Sequence, residues 1–136
     1  MRYMLDTNTL IYALNARPQH QAVLDRFKSE RPQDLIVSSI TLAELVFGIE
    51  KSQWRAATRQ ALHRIIAAIN VVSFGDQAAR AYGAVRAKLE SKGRPIGPLD
   101  TLIAAHALSL SVTLVSANTR EFAKVAGLRL ENWISV

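Results

Sequence analysis

Apolar residues recur along this chain in two rhythms. Short apolar runs at Tyr3-Met4-Leu5, Leu35-Ile36-Val37 and within residues 112–115 have the length of strands, and Asn70-Val71-Val72-Ser73 is a further candidate strand. Between them the spacing widens to three and four residues, the period of a helix face. Val23 and Phe27 mark one helix over residues 19–29, set off by Arg17-Pro18. Leu42, Leu45, Val46 and Ile49 mark a second after Ile40. Trp54, Ala57, Ala61, Leu62, Ile65, Ile66 and Ile69 mark a third, and Ala78, Ala81, Tyr82, Val85 and Leu89 a fourth. Asp6-Thr7-Asn8 is a polar turn ahead of an apolar helical segment from Leu10. Lys92-Gly93-Arg94-Pro95-Ile96-Gly97-Pro98 must be a loop, and Pro98 opens a helix through Leu102, Ile103 and Leu110. After the strand at 112–115 come a short helix near 120–124 and a last segment over 128–134 with strand character. Strands alternating with helices predict an α/β fold with a mainly parallel sheet.

Composition narrows the classes. With 136 residues, 49% of them apolar, the chain suits one domain over 1–136 with a sizeable core. No apolar run approaches the roughly 18 residues of a membrane span, and Asp6 interrupts the start before a signal-type apolar stretch forms, so a soluble cytoplasmic protein is expected. The absence of Cys excludes disulfides, thiolate nucleophiles and Cys-based zinc sites, leaving oxygen or imidazole for any metal. A net charge of +6 favours polyanionic partners such as nucleic acid. Arg55, Arg59, Arg64, Arg80, Arg86, Lys88, Lys92 and Arg94 crowd the middle third, either as solvated helix faces or as a phosphate-contacting surface.

The acids carry the candidate chemistry. Asp6 ends the first strand, Glu44 lies early in the helix after the second, and Asp100 opens the helix after the proline loop. In a parallel α/β sheet such positions gather at the carboxyl edge, where ligand sites form. Carboxylates drawn together repel one another, and a divalent cation removes that cost; an all-oxygen set suits Mg²⁺ or Mn²⁺. Each acid also has a purely structural reading. Thr41-Leu42-Ala43-Glu44 matches a capping box with Thr41 as N-cap and Ile40 with Leu45 as hydrophobic staple. Asp100 suits the positive end of its helix, and Asp6 or Asn8 suits a cap.

Other side chains offer less. His20, His63 and His106 lie on separate segments without ligand spacing and read as surface or core residues. Ser38, Ser39 and Thr41 read as helix caps, with no His and Asp pattern to make a nucleophile. The 93–97 segment lacks the Lys-Ser/Thr ending of a phosphate loop, and no Gly-rich fingerprint follows the first strand. An aspartyl phosphatase starting at Asp6 would place a second Asp where Asn8 stands.

Four segments in order resemble the PIN-domain ribonucleases of the VapC toxin type. They are Met4-Leu5-Asp6-Thr7-Asn8, Ser38-Ser39-Ile40-Thr41-Leu42-Ala43-Glu44-Leu45, Gly93-Arg94-Pro95-Ile96-Gly97-Pro98-Leu99-Asp100, and Val115-Ser116-Ala117-Asn118-Thr119-Arg120-Glu121-Phe122 with Gly127-Leu128 and Asn132-Trp133 behind it. The resemblance implies an α/β/α sandwich around a central mainly parallel sheet, and a site in which Asp6, Glu44 and Asp100 hold Mg²⁺ or Mn²⁺. The family's fourth acidic position falls at Asn118, whose amide can coordinate but brings no charge, which leaves one metal or two open. Glu121 reads either as the missing charge or as an exposed helix residue. Thr7, Asn8 and Ser39 would orient ligands or the scissile phosphate. The implied reaction is metal-dependent hydrolysis of structured RNA, with tRNA and its initiator anticodon loop foremost, to 5′-phosphate and 3′-hydroxyl ends. The implied partners are a VapB-like antitoxin, received on the apolar surface of residues 41–69, and a second copy of the chain. The competing reading is a PIN module that grips RNA or protein without cutting, favoured by Asn118 and opposed by the three acids.

Overall fold

The computed structural model describes residues 2–14, 21–51 and 56–134. Tyr3–Leu5 (β1) is the middle strand, fully buried, as expected of a short unbroken apolar run in a sheet covered on both faces. Leu35–Ser38 (β2) and Thr113–Val115 (β4) flank it, with Asn70–Val72 (β3) outside β2 and Leu130–Glu131 (β5) outside β4, in the order β3-β2-β1-β4-β5. All four pairings are parallel, so the mainly parallel expectation becomes wholly parallel. In β1, Met4 stands between Ile36 and Leu114 and faces one helical layer, while Tyr3 and Leu5 face the other.

Thr7–Leu14 (α1), Gln21–Ser29 (α2), Ser39–Glu50 (α3) and Ala56–Ala68 (α4) cover the Tyr3 face, where Leu10, Leu45 and Leu62 pack on Leu5, Leu35 and Val37. Asp76–Ser91 (α5), Pro98–Leu110 (α6) and Thr119–Phe122 (α7) cover the Met4 face through Leu89, Ile103, Ala104, Ala107 and Phe122. This is the expected α/β/α sandwich. Among the described residues no helix is long and apolar enough to cross a membrane.

Several boundaries differ from those expected. α1 starts at Thr7, ahead of Leu10, because the Asp6 carboxylate caps it, accepting the Thr9 N–H at 2.8 Å. Val46, expected on the apolar face of α3, is 44% exposed, and its neighbour Phe47 is 61% exposed. That helix buries only the stripe through Thr41, Leu45 and Gly48, and a residue next to Leu45 is turned about 100° away. The final strand shrinks to two residues. Gln19 and Arg17-Pro18 from the second helix boundary, Trp54 and Arg55 from the third helix, and His20 lie outside the described residues.

Two features fix the approach to the site. α5 ends in a Schellman turn: Gly93 adopts φ 64°, its N–H donates to the Glu90 carbonyl, and the Arg94 N–H donates to that of Leu89. The chain then reverses so that α6 starts at Pro98 with Asp100 in its first turn, packed along α5. On the Tyr3 face of the sheet Trp133 is buried edge-on against Tyr3 (5.2 Å) and Phe27 (5.8 Å), with the Arg26 guanidinium 4.8 Å over its ring. Its indole N–H donates to Glu131 at 3.0 Å.

Candidate metal centre at the sheet edge

From β1 the sheet runs to β2 on one side and β4 on the other, so the crevice beyond the carboxyl ends of β1 and β4 is the topological switch point. Asp6 stands at its floor, its backbone N–H bonded to the Val115 carbonyl at 3.1 Å. The carboxylate is buried, and with Oδ1 occupied by the α1 cap, Oδ2 has no hydrogen-bond partner among the described residues. The structural reading of Asp6 as a cap thus uses one oxygen and leaves the other available to a ligand.

Glu44 does not close a capping box. Ser38, not Thr41, caps α3, accepting the Ile40 N–H at 3.1 Å. Thr41 lies inside the first turn, buried, its hydroxyl without a hydrogen-bond partner among the described residues. Ile40 and Leu45 join different core clusters and form no staple. Freed from the helix end, Glu44 instead accepts the Thr7 hydroxyl at 2.9 Å, which steers its carboxylate to the start of α1 beside Asp6.

Asp100 reaches the crevice from the first turn of α6, and its Oδ2 accepts the Asn118 amide at 3.3 Å. Burial and the negative charges of Asp6, Glu44 and Glu121 push its pKa up, against a smaller lowering by the Asn118 bond. Asp6, Glu44 and Glu121 thus lie near enough to Asp100 for their charges to add to the effect of burial. Asn118 is held from behind by its own N–H on the Ser116 hydroxyl at 2.9 Å. Glu121 is close enough to act on Asp100 but is partly buried against Lys124, whose ammonium lies 3.2 and 3.3 Å from its two oxygens. Sequence reasoning misses Lys124, although its three-residue offset from Glu121 is a readable signal.

Of the remaining candidates, Asn8 is exposed in the first turn of α1. Ser39 is engaged elsewhere, accepting the Phe74 N–H at 2.9 Å. His63 is exposed and His106 buried, in keeping with a spacing that suits no shared ligand set. The basic cluster does not form one surface: Arg59 and Arg64 lie on α4, in one helical layer, while Arg80, Arg86 and Lys88 lie on α5, in the other. Helical periodicity defines a face but not the layer it belongs to.

The donor set fits a hard divalent cation. Asp6, Glu44 and Asp100 each keep one carboxylate oxygen free of hydrogen bonds, and none of the three is in an ion pair, among the described residues. The three carboxylates stand apart and form no closed ligand group among those residues, a spacing that mutual repulsion favours. Thr7→Val keeps the shape of the side chain and removes the donor that steers Glu44. Its expected effect is a loss of about 10-fold in Mn²⁺ affinity by calorimetry, with the melting temperature little changed.

The chain matches the PIN domain model over residues 3–128. It is 39% identical over 133 residues to the tRNA(fMet)-specific endonuclease VapC of Shigella flexneri, covering 98% of each chain. To Ribonuclease VapC2 of Haemophilus influenzae it is 39% identical over 134 residues, covering 98% of this chain and 99% of the relative. Among solved structures it superposes on the DNA-bound VapBC of Salmonella typhimurium with TM-score 0.88 at 38% identity, covering 98% of both chains. VapBC2 of Rickettsia felis, bound to a promoter DNA fragment, gives 0.84 at 36% identity, covering 98% of this chain and 99% of that one. Matched by the PIN model over nearly its whole length and by relatives of this similarity, the chain belongs to the PIN-domain family and within it to the VapC ribonucleases.

Proposed function

We propose that this chain is a Mg²⁺- or Mn²⁺-dependent endoribonuclease, the toxin of a toxin–antitoxin pair, which cuts tRNA in the cytoplasm and foremost the anticodon loop of initiator tRNA. The observation that carries the reading is the placement of three acids at the switch point, Asp6 at the end of β1, Glu44 held to the start of α1 by Thr7, and Asp100 held by Asn118. The names of relatives along the full chain give the substrate class, and their VapBC complexes give the partner.

In this reading Asp6, Glu44 and Asp100 hold the cation. When bound, it supplies Lewis acidity at the non-bridging phosphate oxygens and a lowered pKa for the attacking water. In-line attack on phosphorus expels the 3′ oxygen and leaves 5′-phosphate and 3′-hydroxyl ends. Thr7 orients Glu44, Asn118 orients Asp100, and the exposed Asn8 at the start of α1 is placed to donate to the phosphate. Unstacked loop nucleotides reach such a crevice, whereas the deep, narrow groove of paired A-form RNA keeps its base edges from side chains.

An antitoxin segment fits an apolar groove of about 290 Å³ between α2 and α4, lined by Leu24, Phe27, Leu35, Ile65 and Ile69. Exposed Val46 and Phe47 on α3 extend the apolar surface expected over residues 41–69. Homodimerisation is part of the same proposal, checked by light scattering of the chain freed of its partner.

Substrate choice is tested by giving purified chain equal amounts of initiator and elongator tRNAs. Cleavage confined to the initiator species supports the proposal, and equal cutting of all RNA at low enzyme rejects the selective reading. Asn118→Asp restores a fourth carboxylate. It is expected to tighten Mn²⁺ binding and to lower the melting temperature in EDTA, because the Asp100 oxygen then faces a charge in place of a donor.

A further inference from the structure

We propose that His106 is a positioning residue of the nuclease site, fixing the helix that carries Asp100 to the start of the helix that carries Glu44. The proposal rests on the nuclease reading above and concerns a side chain that reading leaves unused.

His106 lies on α6 beyond Asp100 and is 1% exposed. Its Nδ1 is 2.8 Å from the Ser38 hydroxyl. Ser38 ends β2, and the same oxygen caps α3 by accepting the Ile40 N–H at 3.1 Å. The imidazole also stands edge-on to Phe74, ring centres 5.3 Å apart at 74°. Phe74 in turn donates its N–H to Ser39 at 2.9 Å. One ring thus joins α6, the β2–α3 junction and the chain leaving β3.

The protons can be assigned. The Ser38 oxygen already accepts the Ile40 N–H, so its own O–H is free to donate, and a neutral imidazole with its proton on Nε2 offers Nδ1 as the acceptor. Ser38 then donates to His106 and accepts from Ile40, and its hydroxyl is satisfied in both directions. Burial disfavours the charged ring, in keeping with that neutral form. Among the described residues, His106 to Ser38 is the one side-chain hydrogen bond between α6 and the β2–α3 junction. The residue therefore does what an apolar side chain in the same cavity could not: it sets the register of two helices, rather than merely filling the space between them.

The leverage is short. Asp100 and Glu44 each stand about 9 Å of helix axis from this contact. A tilt at His106 passes directly to both carboxylates, and metal ligation tolerates little displacement. Partners that orient ligands in this way are worth about 10- to 100-fold in metal affinity.

The test compares the full chain with His106→Ala, His106→Asn and Ser38→Ala. Mn²⁺ binding is read by calorimetry without RNA, kcat and KM are read on tRNA, and circular dichroism checks folding. His106→Ala and Ser38→Ala should each weaken Mn²⁺ binding by about 10-fold and lower kcat, with KM for tRNA unchanged. The double variant should be no worse than Ser38→Ala alone, which cuts the same link and also removes the α3 cap. Asn places an oxygen near the Nδ1 position and should recover most of the affinity. Folded His106→Ala with wild-type Mn²⁺ affinity overturns the proposal, as does a double variant whose losses add. If His106→Ala does not fold, Ser38→Ala with unchanged Mn²⁺ affinity overturns it equally. A wild-type chain that neither binds Mn²⁺ nor cuts RNA sinks the nuclease reading and this proposal with it, an outcome distinct from normal wild type with unaffected variants.

Discussion

Asp100→Asn is expected to lower tRNA cleavage by at least about 10²- to 10³-fold and, at the same time, to raise the melting temperature of the metal-free protein at pH 7. The two effects share one cause. Burial first, and then the charges of Asp6, Glu44 and Glu121, raise the Asp100 pKa above its value in the unfolded chain. Below the unfolded pKa both states hold the proton and nothing is lost. As pH rises through the interval up to the folded pKa, the unfolded chain ionises first, and stability falls; above it the deficit stays constant. An amide at this position carries no charge and can still accept the Asn118 N–H. Melting curves in EDTA from pH 4 to 7 should therefore show the wild type losing ground to the variant as pH rises. Adding Mn²⁺ should reverse the order, because the wild type alone gains strong binding energy in the folded state. A variant that is inactive and also less stable in EDTA would mean that Asp100 serves the fold and not a metal.

The second large effect is on stability. Trp133→Ala should destabilise the fold by about 3–5 kcal/mol in urea unfolding, out of the 5–15 kcal/mol common for domains of this kind. The indole is buried between Tyr3 and Phe27 under the Arg26 guanidinium, and it joins β1, α2 and the last strand in one aromatic cluster. Its removal leaves a cavity and frees Glu131, which also accepts from Arg26 at 3.4 Å. A loss under about 1 kcal/mol would show that the segment after β5 is not held by this ring.

Much of this is legible in the sequence because both signals are local. The short, mostly apolar runs at residues 3–5, 35–37 and 113–115 are what a sheet covered on both faces needs, and the polar residues just past them fall at its carboxyl edge. That reasoning places Asp6 at the edge, while Glu44 in α3 and Asp100 in α6 reach it only through the packing of their helices. The capping box fails because Ser38 and Thr41 are both competent caps, and sequence alone does not choose between them. The sheet does: Ser38 pairs with Val72, so β2 runs to Ser38 and α3 begins at the next residue. What holds Glu44 is Thr7, 37 positions away, and what binds Asp100 is Asn118, 18 positions away. Neither link has a local signature. The division of the basic residues between two helical layers is hidden for the same reason, since it depends on which side of the sheet each crossover takes.

The most direct test of the central claim is cleavage of a tRNA mixture by the purified, partner-free chain in Mg²⁺ or Mn²⁺, repeated in EDTA and with Asp6→Asn. The variant is a clean probe, because an Asn at this position still caps α1 through its carbonyl oxygen. The account predicts cutting at one RNA position, with 5′-phosphate and 3′-hydroxyl ends, lost in EDTA and lost in the folded variant. Cutting that persists in either condition, or RNA binding without cutting under both metals, would contradict it.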